Sequence, residues 1–125
     1  MAISAHFIIS GFSDEIDEKI EKQFACLNRL GISYFEPRGI NGKNIADLTE
    51  QERKSLKREM DASGIKASSI GSPIGKIRIT DDFAPHLEKL KQVMATAQTL
   101  DTKYIRIFSF FIPKGEDPAR YRSRV

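Results

Sequence analysis

Four polar residues lie at or near the ends of short apolar segments that have the composition of β-strands. They are one carboxylate and three cations: Glu36, Arg38, Lys76 and Arg106. Guanidinium and ammonium groups bind phosphate and carboxylate groups, and a carboxylate accepts hydrogen bonds from hydroxyl groups. If the fold gathers these residues at one opening, their chemistry predicts a binding site for a small, hydroxylated and negatively charged molecule.

Arg38 and Lys76 lie in loops that contain glycine. The first loop covers residues 36–44, the second covers residues 71–77, and each has two glycines. Exposed backbone amides beside a cation can cradle an anionic ligand. The alternative interpretation is that both side chains are solvated loop charges.

Arg106 lies in an apolar segment, residues 103–109. The two-residue period of a strand places Arg106 on the same face as Tyr104 and Phe108, with the isoleucines between them facing the helices. An unpaired buried charge costs several kcal/mol, so an inward Arg106 needs a partner. We therefore expect Arg106 and Glu36 to converge, either as an internal salt bridge alone or as joint contacts for the hydroxyls or phosphate of a sugar.

Strand and helix patterns alternate along the chain. Predicted strands cover residues 6–12, 32–36, 65–70 and 103–109, and each precedes a helix N-cap signal: Ser13, Thr49 with Glu52, Asp81 or Asp82, and Asp117. The strand starts recur about every thirty residues, which is the period of a β/α barrel. The predicted fold is α/β, a single domain over 1–125 that forms the N-terminal half, four β/α units, of a parallel (β/α)8 TIM barrel. An open doubly wound sheet is the other candidate, but no glycine-rich nucleotide-binding signature follows a strand.

The loop segments resemble a known family. The pieces "GFSDEI", "FEPRGINGKN", "SSIGSPIGKI" and "YIRIFSFFIP" are similar to those of bacterial sugar phosphate isomerases and epimerases of the xylose isomerase-like TIM barrel superfamily. The resemblance implies a divalent metal held by Glu, Asp, His and Glu from later strands. It also implies carboxylates that move a proton beside a sugar carbonyl. On this interpretation the chain supplies part of the substrate-binding rim and lacks the metal-binding half.

The metal expectation can also be judged from the residues alone. A catalytic metal site needs about three protein ligands that converge, and Glu36 is the one candidate at the predicted strand ends. His6 opens the first predicted strand and His86 lies at a helix start, so we assign both to surface or packing roles. No metal ligand and no catalytic residue is therefore assigned within this chain.

Two other functional interpretations stay open. One is a non-catalytic half-barrel that dimerises, or that needs a missing C-terminal half, because four strands cut from a barrel leave unpaired edges. The other is a DNA-repair enzyme that resembles the abasic-site endonucleases of the same superfamily, although histidines are absent from the early strand ends. The expected partner is a small-molecule sugar or sugar phosphate.

Composition limits the remaining classes. The net charge of +3 is spread along predicted helices and mixed with acids, which argues against a nucleic-acid partner. No run of eighteen apolar residues predicts a membrane span. The single cysteine, Cys26, cannot form an internal disulfide and suits a reducing compartment, so we expect a cytoplasmic protein.

Overall fold

The structure is a computed structural model that describes residues 6–125. Within this range the chain forms three α-helices, which are α1 (Ile20–Arg29), α2 (Glu50–Ser63) and α3 (Phe83–Thr99). Three 3₁₀ segments accompany them: Ser13–Glu15, Ile45–Asp47 and Pro118–Arg124. None of the helices described has the length and apolarity needed to cross a lipid bilayer.

Regular β-structure is limited to two-residue strands. β1 (Tyr34–Phe35) pairs in parallel with β4 (Lys66–Ala67), which is consistent with the helix α2 that joins them. β2 (Gly39–Ile40) pairs antiparallel with β3 (Lys43–Asn44) across the Asn41–Gly42 turn. Both turn residues have positive φ, 50° and 79°, and Asn-Gly is a sequence that tolerates this conformation in tight hairpins.

The predicted half-barrel of four parallel β/α units is wrong. The segments 6–12 and 103–109 form no strand, and the second of them joins its neighbour through an isolated bridge between Ile70 and Ile105. In addition, the hairpin of β2 and β3 interrupts the alternation of strand and helix. The half-barrel geometry of the dimerising alternative is wrong with it, while the expectation of a homo-oligomer or a missing C-terminal half stays a prediction.

The physical reason lies in how the outer segments are packed. Phe7, Ile8 and Ile9 are 87%, 73% and 65% exposed, so no buried face determines a pairing register for this segment. Its backbone hydrogen bond of 2.8 Å, from Glu36 N to Gly11 O, reaches the residue after β1 and no residue of the strand itself. Apolar composition therefore predicts extended backbone here, but the segment lacks the ladder that defines a strand.

The ends of α2 and the start of α3 follow local signals. Thr49 and Glu52 form the predicted capping box of α2, and Gly64 ends the helix with φ of 67°. The pKa of Glu52 lies below its usual range because its carboxylate accepts hydrogen bonds from Lys43 Nζ and from Thr49 N. Asp82 caps α3, since its side chain accepts from Ala84 N. The predicted N-cap at Ser13 is wrong, because Ser13 begins a separate 3₁₀ segment and α1 starts at Ile20 without a side-chain cap.

One hydrophobic core joins the helices to the paired strands. Phe24 of α1 packs edge to face on Phe35 of β1, with ring centroids 5.1 Å apart. Among the large side chains that are 3% exposed or less are Ile20, Phe24, Phe35, Ile45, Leu56, Met60, Ile65, Ile70, Val93 and Leu100. Full burial of such a side chain is worth about 1.5–3 kcal/mol. This core holds β1 and β4 in place, and the polar residues that follow β1 and Ile70 are positioned by it.

Candidate functional site

The three predicted cations lie against two phenylalanine rings, and Glu36 lies beside one of these cations. The guanidinium carbons of Arg38 and Arg106 lie 4.3 and 4.7 Å from the centroid of the Phe12 ring. Arg106 also lies 4.9 Å from the centroid of the Phe108 ring, and Lys76 Nζ lies 4.7 Å from it. The carboxylate of Glu36 lies 3.7 Å from Arg106. These contacts define the aromatic–cation cluster, made of Phe12, Glu36, Arg38, Lys76, Arg106 and Phe108.

Three segments far apart in sequence meet at this cluster. Glu36 follows directly after β1. Its backbone N–H donates a hydrogen bond to Gly11 O, which brings Phe12 beside it. Gly71 N donates to Pro37 O at 2.9 Å, which holds the loop after Ile70 against the same region. A side chain at Gly71 would approach Phe12 Cε1 and Pro37 O to 3.1 Å, so a glycine permits this contact.

The segment around Arg106 is held by the loop that precedes Lys76. Arg106 N donates to Ile70 O at 2.9 Å, and Ser72 Oγ donates to the carbonyl of Arg106. Ile105 packs against the core, as expected from alternation, but Ile107 is 63% exposed, so the expectation that both face helices is wrong for Ile107. Arg106 and Phe108 share a face, because the guanidinium lies over the ring.

Arg38 is already bound by carboxylates. Its Nε donates to Asp14 Oδ2 and its Nη2 donates to Asp14 Oδ1, both at 2.8 Å, and Nη2 also reaches Glu15 Oε1 at 3.3 Å. The hydrogen bonds that Arg38 donates to the Asp14 carboxylate raise the pKa of the Arg38 guanidinium above its ordinary value. Gly39 permits the approach, since a Cβ there would lie 2.8 Å from Asp14 Oδ2.

Arg106 and Glu36 meet in a different geometry. Arg106 Nε and Glu36 Oε1 are 3.7 Å apart, which attracts the charges but is too long for a hydrogen bond. Both atoms are buried, and neither has a hydrogen-bond partner among residues 6–125. Arg106 Nη2 donates weakly to Ser72 O at 3.4 Å. The pair therefore keeps hydrogen-bonding capacity at the atoms that face each other.

Lys76 projects from a tight turn. Lys76 N donates to Pro73 O at 3.0 Å across Ile74 and Gly75, and the φ of 87° at Gly75 is typical of the third residue of a type II turn. In the part of the chain that the structure describes, no carboxylate lies within ion-pairing distance of Lys76 Nζ. Among the described residues, its ammonium group contacts the face of the Phe108 ring.

Some members of the site were not identified from sequence. Phe12 and Asp14 lie in "GFSDEI", where the pattern indicates a helix start, and nothing local shows that they contact Arg38 about two dozen residues later. His86 was assigned a surface or packing role, and it is buried, with its ring near those of Phe83 and Phe110. Its Nε2 also accepts a hydrogen bond from Gly75 N at 2.8 Å, a long-range contact that sequence spacing does not reveal.

The cluster does not fit the divalent metal that the family resemblance implies. Its carboxylates are Glu36 and the neighbouring Asp14, and both face arginines. A divalent cation needs converging oxygen or nitrogen ligands without cations among them. Residues 6–125 also contain no group of three or more His, Cys, Asp or Glu side chains arranged to hold a metal ion.

Comparison of the chain with protein-family models, with curated proteins and with solved structures finds no match.

Proposed function

We propose that the aromatic–cation cluster binds a small sugar phosphate, as the substrate-binding part of a sugar phosphate isomerase or epimerase. The observation that carries the proposal is the pair of facing, buried and unpartnered atoms, Glu36 Oε1 and Arg106 Nε, next to a lysine that has no carboxylate partner.

The balance of charge favours an anionic ligand. Arg38 is neutralised by Asp14 and Glu15. The rest of the cluster then holds two cations, Arg106 and Lys76, against one carboxylate, Glu36. A phosphate group could accept hydrogen bonds from both cations, and charge-assisted bonds of this kind are about twice as strong as neutral ones.

The unpartnered atoms favour a hydroxyl group on the same ligand. The side chains of Arg106 and Glu36 are 29% and 21% exposed, so they can part to admit a ligand hydroxyl between their buried facing atoms. The hydroxyl would then donate to Glu36 Oε1 and accept from Arg106 Nε. Leaving such atoms unsatisfied costs about 1–3 kcal/mol each, so a ligand that meets both gains affinity. A sugar phosphate combines this hydroxyl with the anionic group.

Any chemical step lies beyond these residues. Glu36 is the carboxylate of the cluster, and its Oε1 is not hydrogen-bonded to a cation of residues 6–125. Proton transfer beside a carbonyl also needs groups that stabilise the developing negative charge. We assign binding and orientation to the cluster and no metal-dependent step to this chain. A cytoplasmic location is part of the proposal and is supported by the single cysteine.

The proposal is tested by calorimetric titration at low ionic strength. The ligands are ribose 5-phosphate, xylulose 5-phosphate, glucose 6-phosphate and fructose 6-phosphate, with the unphosphorylated sugars and inorganic phosphate as reference ligands. We expect at least one sugar phosphate to bind more tightly than both its parent sugar and inorganic phosphate, because the hydroxyl and anion contacts act together.

Two variants locate the binding. The double variant K76M/R106M removes the two cations without an anionic partner at hydrogen-bond distance, and we expect it to abolish binding. The control is Arg58→Met, which removes a charge from the exposed face of α2, away from the cluster, and should leave binding unchanged. Absence of binding by every sugar phosphate at millimolar concentration, or an equal loss in the control variant, would overturn the proposal.

A further inference from the structure

We infer that His86 is a positioning residue of this site: through its hydrogen bond to Gly75 N it holds the Pro73–Lys76 turn so that the Lys76 ammonium group lies at the Phe108 ring. The inference rests on the proposed function for the identity of the ligand. It assigns a role to a residue that lies outside the aromatic–cation cluster and on a different element, α3.

The hydrogen bond determines the state of the ring. Gly75 N–H is the donor at 2.8 Å, so His86 Nε2 is the acceptor and carries no proton. The proton of the neutral imidazole is then on Nδ1. His86 is 8% exposed, which shields the bond from competition by water. A buried, directional bond of this kind orients the peptide plane of Gly75.

The turn has little freedom once that plane is oriented. Gly75 N–H faces His86, Gly75 O accepts from Phe110 N at 3.1 Å, and Ile74 O accepts from Phe108 N at 2.7 Å. The backbone of Gly75 also lies so close to Phe108 that an added Cβ would be 1.9 Å from the Phe108 carbonyl oxygen. His86 is the contact in this set that comes from a helix of the core, so it ties the turn to α3.

Lys76 follows Gly75 directly, so the orientation of the turn determines where its side chain begins. With the turn in place, Lys76 Nζ lies 4.7 Å from the Phe108 ring centroid, on the ring that Arg106 also contacts. Loss of the bond to His86 would free the Gly75 amide and let Lys76 leave the ring. The expected consequence is weaker binding of an anion that needs both cations.

The first test is a binding cycle with the sugar phosphate that binds most tightly in the panel above. His86→Met removes the acceptor and keeps an apolar side chain, and we expect an affinity loss of about fivefold, the value of one neutral hydrogen bond. His86→Gln places an oxygen near the position of Nε2 and should restore affinity to within about twofold. In the K76M background, H86M should have no further effect, because the lysine it positions is absent.

The control variant is Leu90→Met, a conservative change on the same helix away from the turn, which should leave affinity unchanged. An H86M loss that persists in the K76M background would show general damage to the fold and overturn the inference. An unchanged affinity in H86M would overturn it as well.

The second test needs no ligand and separates this inference from the proposed function. Nitrogen-15 NMR of the wild-type imidazole should show Nδ1 protonated and Nε2 unprotonated, and exchange of the Gly75 amide should be slow. In H86M the Gly75 amide should exchange at least about tenfold faster, while the Leu100 amide in the core keeps its protection. If the anchor is present but no sugar phosphate binds, the proposed function fails and the positioning role toward a ligand fails with it. If the Gly75 amide exchanges fast in the wild type, the inference fails whatever binds.

Discussion

Two arginine–carboxylate pairs contact the same Phe12 ring, and they differ in what they leave available. Arg38 donates two hydrogen bonds of 2.8 Å to Asp14, and its Nη2 also donates to Glu15. Arg106 faces Glu36 at 3.7 Å, and the facing atoms have no hydrogen-bond partner among the described residues. The comparison shows that neighbouring cations of the same type can differ in hydrogen bonding, since Arg38 closes a structural contact while Arg106 Nε makes no hydrogen bond within residues 6–125. A ligand contact for Arg106 is what we propose.

The difference in hydrogen bonding between the two pairs follows from the residues that position each of them. Asp14 lies at the 3₁₀ segment Ser13–Glu15, and Gly39 beside Arg38 leaves room for its carboxylate to approach. Arg106 is held by a backbone bond to Ile70 O and by hydrogen bonds with Ser72, and its Nε is not hydrogen-bonded to a carboxylate. The predictions below test the two pairs and the loop.

The largest effect is expected at the loop that supports the Arg106 pair. Gly75→Ala would place Cβ 1.9 Å from the Phe108 carbonyl oxygen at a φ of 87°. Overpacking costs about 1–3 kcal/mol and a left-handed backbone about 1–2 kcal/mol, so we expect a loss of about 2–5 kcal/mol in the free energy of unfolding. Urea denaturation measures it. The control, Gly64→Ala, has the same backbone sign but open space, and should lose about 1–2 kcal/mol.

The next effect distinguishes Arg106 as a ligand contact. We expect Arg106→Met to weaken sugar phosphate binding about ten- to a hundredfold, because a charge-assisted hydrogen bond is worth about 1.5–3 kcal/mol. The free energy of unfolding should change by less than about 1 kcal/mol, since the pair with Glu36 makes no hydrogen bond and the two side chains are 29% and 21% exposed, although the facing atoms are buried. Calorimetry and urea denaturation on the same variant provide the two values. Collapse of stability with unchanged affinity would make the pair structural.

Arg38 should show the opposite division. Arg38→Met leaves Asp14, whose side chain is 17% exposed, without its cation, and we expect a stability loss of about 1–2 kcal/mol after allowing for solvent screening at the exposed third of Arg38. Sugar phosphate affinity should fall by no more than about threefold. Lys43→Met breaks the exposed pair with Glu52 and serves as the control, because an exposed ion pair contributes little to stability. If R38M lowers affinity as much as R106M, the two pairs do not differ in role.

The smallest effect concerns the hydroxyl contact of Glu36. Glu36→Gln keeps the size of the side chain and an acceptor oxygen but removes the charge, so a ligand hydroxyl would bind to it about half as strongly. We expect the ratio of sugar phosphate affinity to inorganic phosphate affinity to fall about threefold, because phosphate alone does not use Glu36. A ratio that stays constant would show that Glu36 only balances the charge of Arg106.

Local signals in the sequence predicted helix ends better than they predicted the sheet. The capping box of Thr49 and Glu52 depends on residues within one turn, and it is present as predicted. The four parallel strands were inferred from apolar composition and spacing alone. Exposed Phe7 and Ile107 have that composition without the burial that stabilises a strand.

For the site, the sequence indicated the residue types but not the contacts and hydrogen bonds that they make. Glu36, Arg38, Lys76 and Arg106 were predicted as a set, and they lie around two aromatic rings, although the contact with a substrate stays a prediction. The parallel half-barrel that was expected to bring them together is wrong. A hairpin, a tight turn and single backbone bonds gather them instead of a ladder of strands.

The order of amino acids alone determines the three helix-forming stretches, the Asn41–Gly42 turn and the cationic character of the two loops, because each depends on groups close together along the backbone. Only the tertiary structure decides that Asp14 binds Arg38, that Glu36 is left to face Arg106, and that His86 accepts from Gly75. The physical reason is that hydrogen bonding depends on distances of a few tenths of an ångström between segments that core packing brings together.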